Sequence, residues 1–465
     1  MPENKQSAQF NKMTETPVSA LVLRLSAPTI VSMLVTNIYN LVDTAFVGRL
    51  GTSASGAVGI VFGFMSIIQA IGFMFGQGGG SIVSRELGSK DPEAACRTAS
   101  TAFFCSTGSG FICSVVCFLL LDPLILFLGS TETITPFAKT YIFYILLAAP
   151  FMTASFTMNN ILRYEGRAAL GMIGLLAGAF INMGLDPVLM FGLKMGIAGA
   201  GLSTALSQLV SFCILLSMFL RKKTVTRLSV RLVSLRPAYV FNIIATGFPS
   251  MLRQGLNSAA TIMLNDLAGV YGDPAIAAMS IVSRIIFFVF SIALGVGQGF
   301  QPVCGFNYGA KLYLRVRKAF RFTLLFASGC MTVAAILVFL LSDRLIGVFR
   351  DDPEVIEIGV RALRLQSCAL LVLPVCTIAE MLYQSTGHRL GATILSSLRS
   401  GLFFIPVLLI LARYRGLAGI QEAQPAAYVL SLLPSIFFTV LFFRKLPKEN
   451  ASENSDADRM KPKKT

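Results

Sequence analysis

The sequence is poor in charged residues and in side chains that commonly bind metals. Charged residues make up 13% of its 465 positions, against about 25% in a typical soluble domain. There is one histidine, His388, and the nine cysteines are scattered without a CxxC spacing. Metal and redox motifs need several such side chains at fixed intervals. We therefore expect no metal site and interpret the cysteines as small apolar residues of helix interiors.

Long apolar runs take the place of the missing charge. Hydrophobic residues make up 54% of the chain and the mean hydropathy is +0.71, while a helix needs roughly 20 apolar residues to cross a bilayer. We predict an all-α polytopic membrane protein with twelve transmembrane helices. The predicted spans are 22–47, 54–83, 96–121, 134–160, 168–192, 197–220, 239–268, 275–304, 319–341, 357–384, 390–412 and 424–443.

The net charge of +16 follows a membrane pattern and does not indicate a nucleic-acid partner. Basic residues cluster in alternate loops and in the C-terminal tail, whereas residues 351–354 on the other side read DDPE. By the positive-inside rule, both termini lie on the cytoplasmic side of the membrane. We expect this membrane to be the cell inner (plasma) membrane. We expect no cleaved signal peptide, because the segment 1–20 is polar and the apolar run after it is too long.

The chain repeats itself in two halves at a constant offset in sequence. Residues 76–78 and 297–299 both read GQG, and one residue off that register 196–199 matches 416–419. Further matches at the same offset are Pro28 with Pro249, Gly88 with Gly309, Lys90 with Lys311, Asp122 with Asp343, and Gly166 with Gly387. Two matched six-helix lobes around a cavity are typical of transporters.

The predicted organisation has five parts. They are a cytoplasmic N-terminal tail (1–20), an N-lobe (21–220), a cytoplasmic basic linker (221–238), a C-lobe (239–443) and a cytoplasmic charged tail (444–465). Six spans per lobe is an even number, so both lobes enter the membrane in the same orientation. A pseudo-two-fold axis along the membrane normal then relates them. We expect both tails to lack fixed structure.

Asp43 is a candidate functional residue because it closes the first apolar run. An ionised carboxylate inside a bilayer costs roughly 2.5–3.5 kcal/mol on insertion scales and marks a functional site by default. Asn182 and Asp186 are four residues apart and therefore share one face of the fifth helix. Thr204 on the sixth helix adds a hydroxyl. The alternative is that Asp43 and Asp186 merely end helices near the headgroups, since Asp-Pro is a common helix boundary.

This set of oxygen atoms suits a hard cation such as Na⁺, and two neighbouring carboxylates suit a proton equally well. The N-lobe alone holds the acidic cluster, because the repeat places Asp43 opposite Leu264 and Asp186 opposite Ile405. We also nominate supporting or cavity-lining residues, each with ordinary packing or helix capping as its alternative. These are Tyr39, Asn40, Asn159, Asn160, Gln254, Asn257 and Glu380. For Glu380, an internal ion pair with a buried arginine is the simpler interpretation.

Two motifs resemble one transporter family. Residues 37–51 read NIYNLVDTAFVGRLG and residues 301–311 read QPVCGFNYGAK, followed by Arg315 and Arg317. They resemble the first-helix and eighth-helix signatures of the multidrug and toxic compound extrusion (MATE) family, especially its MepA-like bacterial branch. The resemblance runs from about residue 20 to residue 443.

The resemblance implies two six-helix lobes that export cationic, amphipathic drugs or dyes in exchange for H⁺ or Na⁺, without another cofactor. The family's N-lobe cation site maps onto Asp43, Asn182, Asp186 and Thr204. The chain departs from the branch with an acidic pair in the second lobe, because Glu380 has no clear partner on the seventh helix. A second-lobe Na⁺ site is therefore in doubt. We expect small organic cations and the lipid bilayer as partners, and a monomer.

Three rival functions are less consistent with the sequence. A flippase for lipids or lipid-linked glycans, from the same superfamily, should have a strongly cationic cavity, whereas only Arg253, Arg284 and Arg399 lie deep in predicted spans. A membrane enzyme such as an acyltransferase or protease should have a Ser/His/Asp set or an HExxH motif, and the sequence has neither. A receptor without transport activity has no need of the internal repeat.

Overall fold

A computed structural model describes residues 2–350, 352–447 and 449, and this part of the chain is helical without a β-strand. The first eight helices are α1 Pro2–Glu15, α2 Val18–Gly48, α3 Thr52–Gly88, α4 Pro92–Leu119, α5 Leu121–Phe127, α6 Thr135–Tyr164, α7 Ala168–Pro187 and α8 Ile197–Leu220. The others are α9 Pro237–Gly269, α10 Asp273–Gly309, α11 Tyr313–Leu340, α12 Ser342–Phe349, α13 Pro353–Ala369, α14 Leu373–Thr386, α15 Arg389–Ser397 and α16 Phe404–Lys445. Residue 351 and most of the predicted tail 444–465 lie outside the described residues.

The predicted membrane-protein class is confirmed, but the count of twelve spans is not reproduced exactly. The predicted runs are mostly helical, with a break at residues 370–372 inside the run 357–384, because a backbone in lipid must satisfy its polar groups internally. Within the described residues, nine helices are long and apolar enough to cross a membrane, or ten if the pair α13 and α14, bent by 53°, is one span. Helix α9 is not among them, since it carries Arg253, Asn257 and Asp266. The predicted last two spans are joined across a turn at Gly416.

The internal repeat is visible in the backbone. Gly196 has φ 58° and ψ −130°, and its counterpart Gly416 has φ 61° and ψ −136°. This region of φ is open to glycine but costly for residues with a Cβ. Lys90 and Lys311, another repeated pair, have φ 61° and φ 57°. The two halves therefore turn at equivalent places with the same geometry.

Two compact units can be distinguished within the described residues. The first contains the described parts of Met1–Ile30, Ser84–Asp91 and Leu256–Thr465, and the second contains Val31–Val83 and Pro92–Gly255. The core of the first unit includes Met279, Met331 and Leu363. The core of the second unit includes Ile68, Ile145 and Met152. Helices α2 and α9 each contribute to both units, and the predicted lobe boundaries stay a prediction.

Inside the first unit, the ends of α3 and α10 cross at a pair of glycines. A Cβ on Gly88 would overlap the carbonyl oxygen of Phe306, and a Cβ on Gly309 would overlap the carbonyl oxygen of Arg85. Phe306 and Arg85 are themselves equivalent in the repeat. The contact is therefore reciprocal, and each helix needs glycine for the same close approach.

The N-terminal segment differs from the expected unstructured tail. Residues 2–15 form helix α1, and Met13 is fully buried. Asn307 Nδ2 donates to the Met13 carbonyl at 3.2 Å, and Arg315 Nη2 donates to the Thr16 carbonyl at 2.6 Å. The polar composition of the segment gave no sign of these hydrogen bonds, because the donors Asn307 and Arg315 lie far from it in the sequence.

Candidate functional site

Helices α2, α7 and α8 of the second unit bring the four predicted cation-site residues together. Asp186 is the penultimate residue of α7, and a π-helical turn, Val188–Gly192, follows Pro187. Such turns are frequent at functional sites. Asn182, Asp186 and Thr204 are buried, with 1%, 0% and 2% of their surface exposed. The expected shared face of Asn182 and Asp186 is present in the structure, with Asn182 Nδ2 and Asp186 Oδ1 3.4 Å apart.

Hydrogen bonds hold Asn182 in one orientation between α7 and α8. Its Nδ2 donates to Ser203 Oγ at 3.1 Å and lies 3.5 Å from Thr204 Oγ1. Ser203 Oγ donates back to the carbonyl oxygen of Asn182 at 3.2 Å. The Thr204 hydroxyl donates to the carbonyl of Ala200 at 3.1 Å, so its lone pairs remain available as acceptors.

Asp43 joins the cluster from α2. Its carboxyl group lies close enough to that of Asp186 for a hydrogen bond between the two. Tyr39, one turn earlier on α2, lies within electrostatic range of both carboxyl groups. Two ionised carboxylates at this separation repel each other. A proton or a cation held between them removes that repulsion.

Three oxygen atoms of the cluster are buried without a hydrogen-bond donor among the described residues. They are Asp43 Oδ1, Asn182 Oδ1 and Asp186 Oδ2. Buried acceptors are normally paired, and an unpaired one costs free energy. A shared set of unpaired oxygens is what a hard cation requires as ligands. The residues present therefore fit a small cation or a proton.

The sequence argument missed two members of the cluster. Ser203 bonds with Asn182, as described above, and Tyr141 of α6 forms a hydrogen bond with the side chain of Thr204. Tyr141 is 1% exposed, and its hydroxyl also faces the sulfur of Met65 at 4.0 Å. Ser203 could have been found as the neighbour of Thr204. Tyr141 gives no sequence signal, since it lies in an ordinary apolar run.

Of the predicted supporting residues, Tyr39 alone is placed against the carboxylates by the contacts described above. The carbonyl of its neighbour Asn40 accepts a hydrogen bond from Thr44 at 2.8 Å, as in any helix. Asn159 packs against Gly171 of α7. Asn160 is fully buried between α3 and α6, where its Oδ1 accepts a hydrogen bond from Arg163. Asn160 thus takes part in helix packing.

The remaining candidates lie on α9 and α14. Gln254 and Asn257 are both half-buried on α9, and the carbonyl of Asn257 accepts a hydrogen bond from Thr261 at 2.9 Å. Glu380 on α14 is buried, and both it and Arg399 act electrostatically on Cys376.

Arg399 belongs to an aromatic environment in the first unit. Its guanidinium lies 4.3 Å from the ring centre of Phe290 and 5.9 Å from that of Tyr428. The C-terminal half thus combines one buried carboxylate with a guanidinium held by aromatic rings, whereas the N-terminal half combines two carboxylates. Within the described residues, no three His, Cys, Asp or Glu side chains are grouped to hold a metal ion.

A duplicated helical fold with nine or ten apolar spans within the described residues is the architecture of a multi-span membrane transporter. The chain belongs to the MatE family, whose model matches residues 28–188 and 249–410. The two matched segments begin at Pro28 and Pro249, a pair that the internal repeat makes equivalent. The family predicted from the two sequence motifs is therefore confirmed.

Curated relatives and a solved structure agree with this assignment. The multidrug export protein MepA of Staphylococcus saprophyticus is 27% identical over 431 residues, covering 92% of this chain and 95% of the relative. MepA of Staphylococcus aureus is 27% identical over 439 residues, covering 94% and 97%. A multidrug resistance MATE family transporter of the MOP superfamily, solved in an outward-facing conformation, matches with a TM-score of 0.89 at 23% identity and covers 94% of this chain and 98% of its own. The predicted fold class is thus confirmed.

Proposed function

We propose that this protein is a secondary active multidrug efflux transporter that exchanges cationic, amphipathic drugs or dyes for H⁺ or Na⁺. The observation that carries the proposal is the trio of unpaired buried oxygens on Asp43, Asn182 and Asp186. Membership of the MatE family and the names of the MepA relatives support an export function. Asp43, Asn182, Asp186 and Thr204 form the coupling site, with Tyr39, Tyr141 and Ser203 around it.

Loading of the site satisfies the unpaired acceptors in either of two ways. A proton on Asp43 or Asp186 converts one carboxylate into a hydrogen-bond donor for the other. A Na⁺ ion accepts lone pairs from both carboxylates, from the side-chain oxygen Oδ1 of Asn182 and from the Thr204 hydroxyl. Both ions neutralise charge that a bilayer interior penalises.

Coupling to transport follows from a difference in affinity between two conformations. An ion shifts a conformational equilibrium only if it binds one state better than the other. We propose that α2, α7 and α8 separate in one state and approach in the other, so that the ion favours the state with the oxygens together. The cationic drug and the coupling ion then occupy the protein in alternate steps, as alternating access requires. Both termini face the cytoplasm, and the drug leaves on the opposite side.

The test is dye efflux from proteoliposomes that contain the purified full-length protein. Ethidium movement is measured under an imposed pH gradient and, separately, under an imposed Na⁺ gradient. Asp43→Asn should abolish the gradient-driven component. The matched control is Asp266→Asn, since Asp266 is an exposed carboxylate on α9, near the position equivalent to Asp43.

The outcomes separate the proposals. Efflux that follows one gradient and is lost in Asp43→Asn but kept in Asp266→Asn supports antiport and identifies the ion. Efflux that persists in a folded Asp43→Asn variant contradicts the coupling site. No movement under either gradient, from wild-type protein shown to be folded, favours the lipid flippase alternative.

A further inference from the structure

The basic linker, residues 221–238, is tied to the second unit by a buried carboxylate. Glu165 is fully buried after the end of α6. Its Oε2 accepts a hydrogen bond from the Val225 amide at 2.9 Å, and its Oε1 accepts one from the Thr226 amide at 3.0 Å. The Thr226 hydroxyl donates to Oε1 as well. The start of the linker is therefore held in one position.

The rest of the linker runs along the first turns of α4. Ser100 Oγ donates to the carbonyl of Arg227 at 3.0 Å and accepts from the Ser229 amide at 3.1 Å. The Ser234 amide donates to Thr101 Oγ1 at 3.0 Å. The backbone and the small polar residues therefore face the protein.

The long side chains of the linker face outward as a consequence. Residues 221–238 contain no acidic residue, and the outward-facing cations are Arg221, Lys222, Lys223, Arg227, Arg231 and Arg236. Two apolar side chains stand among them, with Val230 71% exposed and Leu235 72% exposed. Cations with interspersed exposed apolar side chains are typical of segments that lie on a membrane surface.

A second basic segment on the same predicted side, residues 311–321, has arginines that are bonded to backbone carbonyls of the protein itself. Arg315 donates to the Thr16 carbonyl, and Arg317 Nη2 donates to the carbonyls of Phe443 and Leu446, each at 2.8 Å. In the linker, by contrast, Arg231 and Arg236 are exposed and are absent from the ion pairs of the described part of the chain. These two arginines are therefore available to an external anion.

We propose that the basic linker is a binding surface for anionic phospholipid. Helix α8, one of the apolar spans, ends at Leu220, and α9 begins at Pro237. The linker therefore starts where the chain leaves the membrane. The guanidinium and ammonium groups contact headgroup phosphates, and Val230 and Leu235 enter the acyl boundary beneath them. The ligand class is a phosphodiester lipid with net negative charge, with phosphatidylglycerol as the probe.

The test measures binding of fluorescent phosphatidylglycerol to the purified full-length protein in detergent. The variant R227Q/R231Q/R236Q removes three outward cations and should weaken binding at least about tenfold, because polybasic segments bind anionic lipid in proportion to their charge. Fluorescent phosphatidylcholine serves as the neutral lipid and should bind more weakly, with no response to the variant. Circular dichroism and size-exclusion chromatography check that the variant is folded.

The matched control is K311Q/K318Q/R321Q, which removes three exposed cations from residues 311–321, at and after the start of α11. It should change phosphatidylglycerol binding less than about twofold, because these cations lie outside the linker that we propose as the binding surface. The variant V230S/L235S tests the anchors without a change of charge and should also weaken binding. It keeps the proposal testable if the triple arginine variant does not fold.

Three results would overturn the proposal. The first is equal binding of phosphatidylglycerol and phosphatidylcholine by the wild type. The second is an equal loss in the two triple variants, which would show that total charge matters and the linker does not. The third is full competition by inorganic phosphate at the lipid concentration, which would make the surface a phosphate site. The assay involves no transport, so its outcome is independent of the proposed antiport.

Discussion

At two positions where the N-terminal half carries Asp43 and Asn182, the C-terminal half carries Leu264 and Gly401. Leu264 is 3% exposed and belongs to the apolar core of its unit. Gly401 is packed against the side chain of Leu256, whose Cδ1 would lie 2.7 Å from a Cβ at position 401. These two positions of the repeat are thus polar in one half and apolar in the other.

This difference shows which features tolerate divergence after duplication. The turns at Gly196 and Gly416 keep the same dihedral angles because the path of the chain depends on them. The cluster around Asp186 is formed by side chains from three helices. An apolar residue at any of these positions would remove a partner from the cluster. Backbone geometry is therefore shared between the halves, whereas the proposed coupling site lies in the N-terminal half. Substitutions in either half can test that division.

The largest expected effect comes from placing a carboxylate in the apolar counterpart. Leu264→Asp buries a charge without counterparts of the Asn182, Ser203 and Thr204 side chains that surround Asp186. Breaking buried ion pairs shows that an uncompensated buried charge costs about 3–5 kcal/mol. We expect loss of monodisperse protein on size-exclusion chromatography. Leu264→Met is the control and should cost less than about 1.5 kcal/mol. A stable Leu264→Asp variant would reveal polar partners in the C-terminal half and break the comparison.

The second prediction concerns the reciprocal glycines. Gly88→Ala and Gly309→Ala each push a methyl group into a carbonyl oxygen, and overpacking of this kind costs about 1–3 kcal/mol. Thermal unfolding in detergent should show similar losses for both variants. Gly63→Ala is the matched control on α3, because open space surrounds that position. Strongly unequal losses at positions 88 and 309 would contradict a shared mechanical role.

A smaller effect is expected at Ser203, a member of the site that the sequence did not reveal. Ser203→Ala removes both hydrogen bonds with Asn182, at a cost of about 0.5–1.5 kcal/mol each. We expect a severalfold weaker apparent affinity for the coupling ion in the dye efflux assay. Ser207→Ala is the control, since its hydroxyl donates to the Thr204 carbonyl, within the same helix. A loss confined to Ser207→Ala would show that helix packing, not the amide of Asn182, limits transport.

The smallest effect concerns His388, which the repeat places opposite Arg167. Burial among aromatic rings, and then the charges of Arg85 and Lys445, lower the pKa of His388 below its ordinary value. Since the unfolded chain then binds a proton more readily, stability is kept above the usual histidine range and falls as pH falls through it. His388→Gln should flatten the acid side of a plot of unfolding temperature against pH. An unchanged acid slope would assign that dependence to other groups.

The membrane class, the repeat and the proximity of Asp43 and Asp186 were predictable from sequence because lipid makes each of them conspicuous. Long apolar runs and intramembrane aspartates have few alternative explanations. Tyr141 was not predictable, because a tyrosine in an apolar run looks the same whether or not it faces a carboxylate. Helix α1 was missed because its stability depends on Asn307 and Arg315, which lie in the other half of the sequence. Asn160 was nominated because a polar residue in a span attracts attention, but its partner is Arg163.

The crossing of α3 and α10 limits which substitutions an engineered variant can carry at positions 88 and 309. Each of the two glycines lies against the backbone of the helix from the other half of the repeat. A larger side chain at either position would therefore clash with that helix. A mutational library that varies position 88 and leaves position 309 unchanged tests only one of the two close contacts at this crossing. Positions 88 and 309 have to be considered together in such a library, although they lie in opposite halves of the sequence.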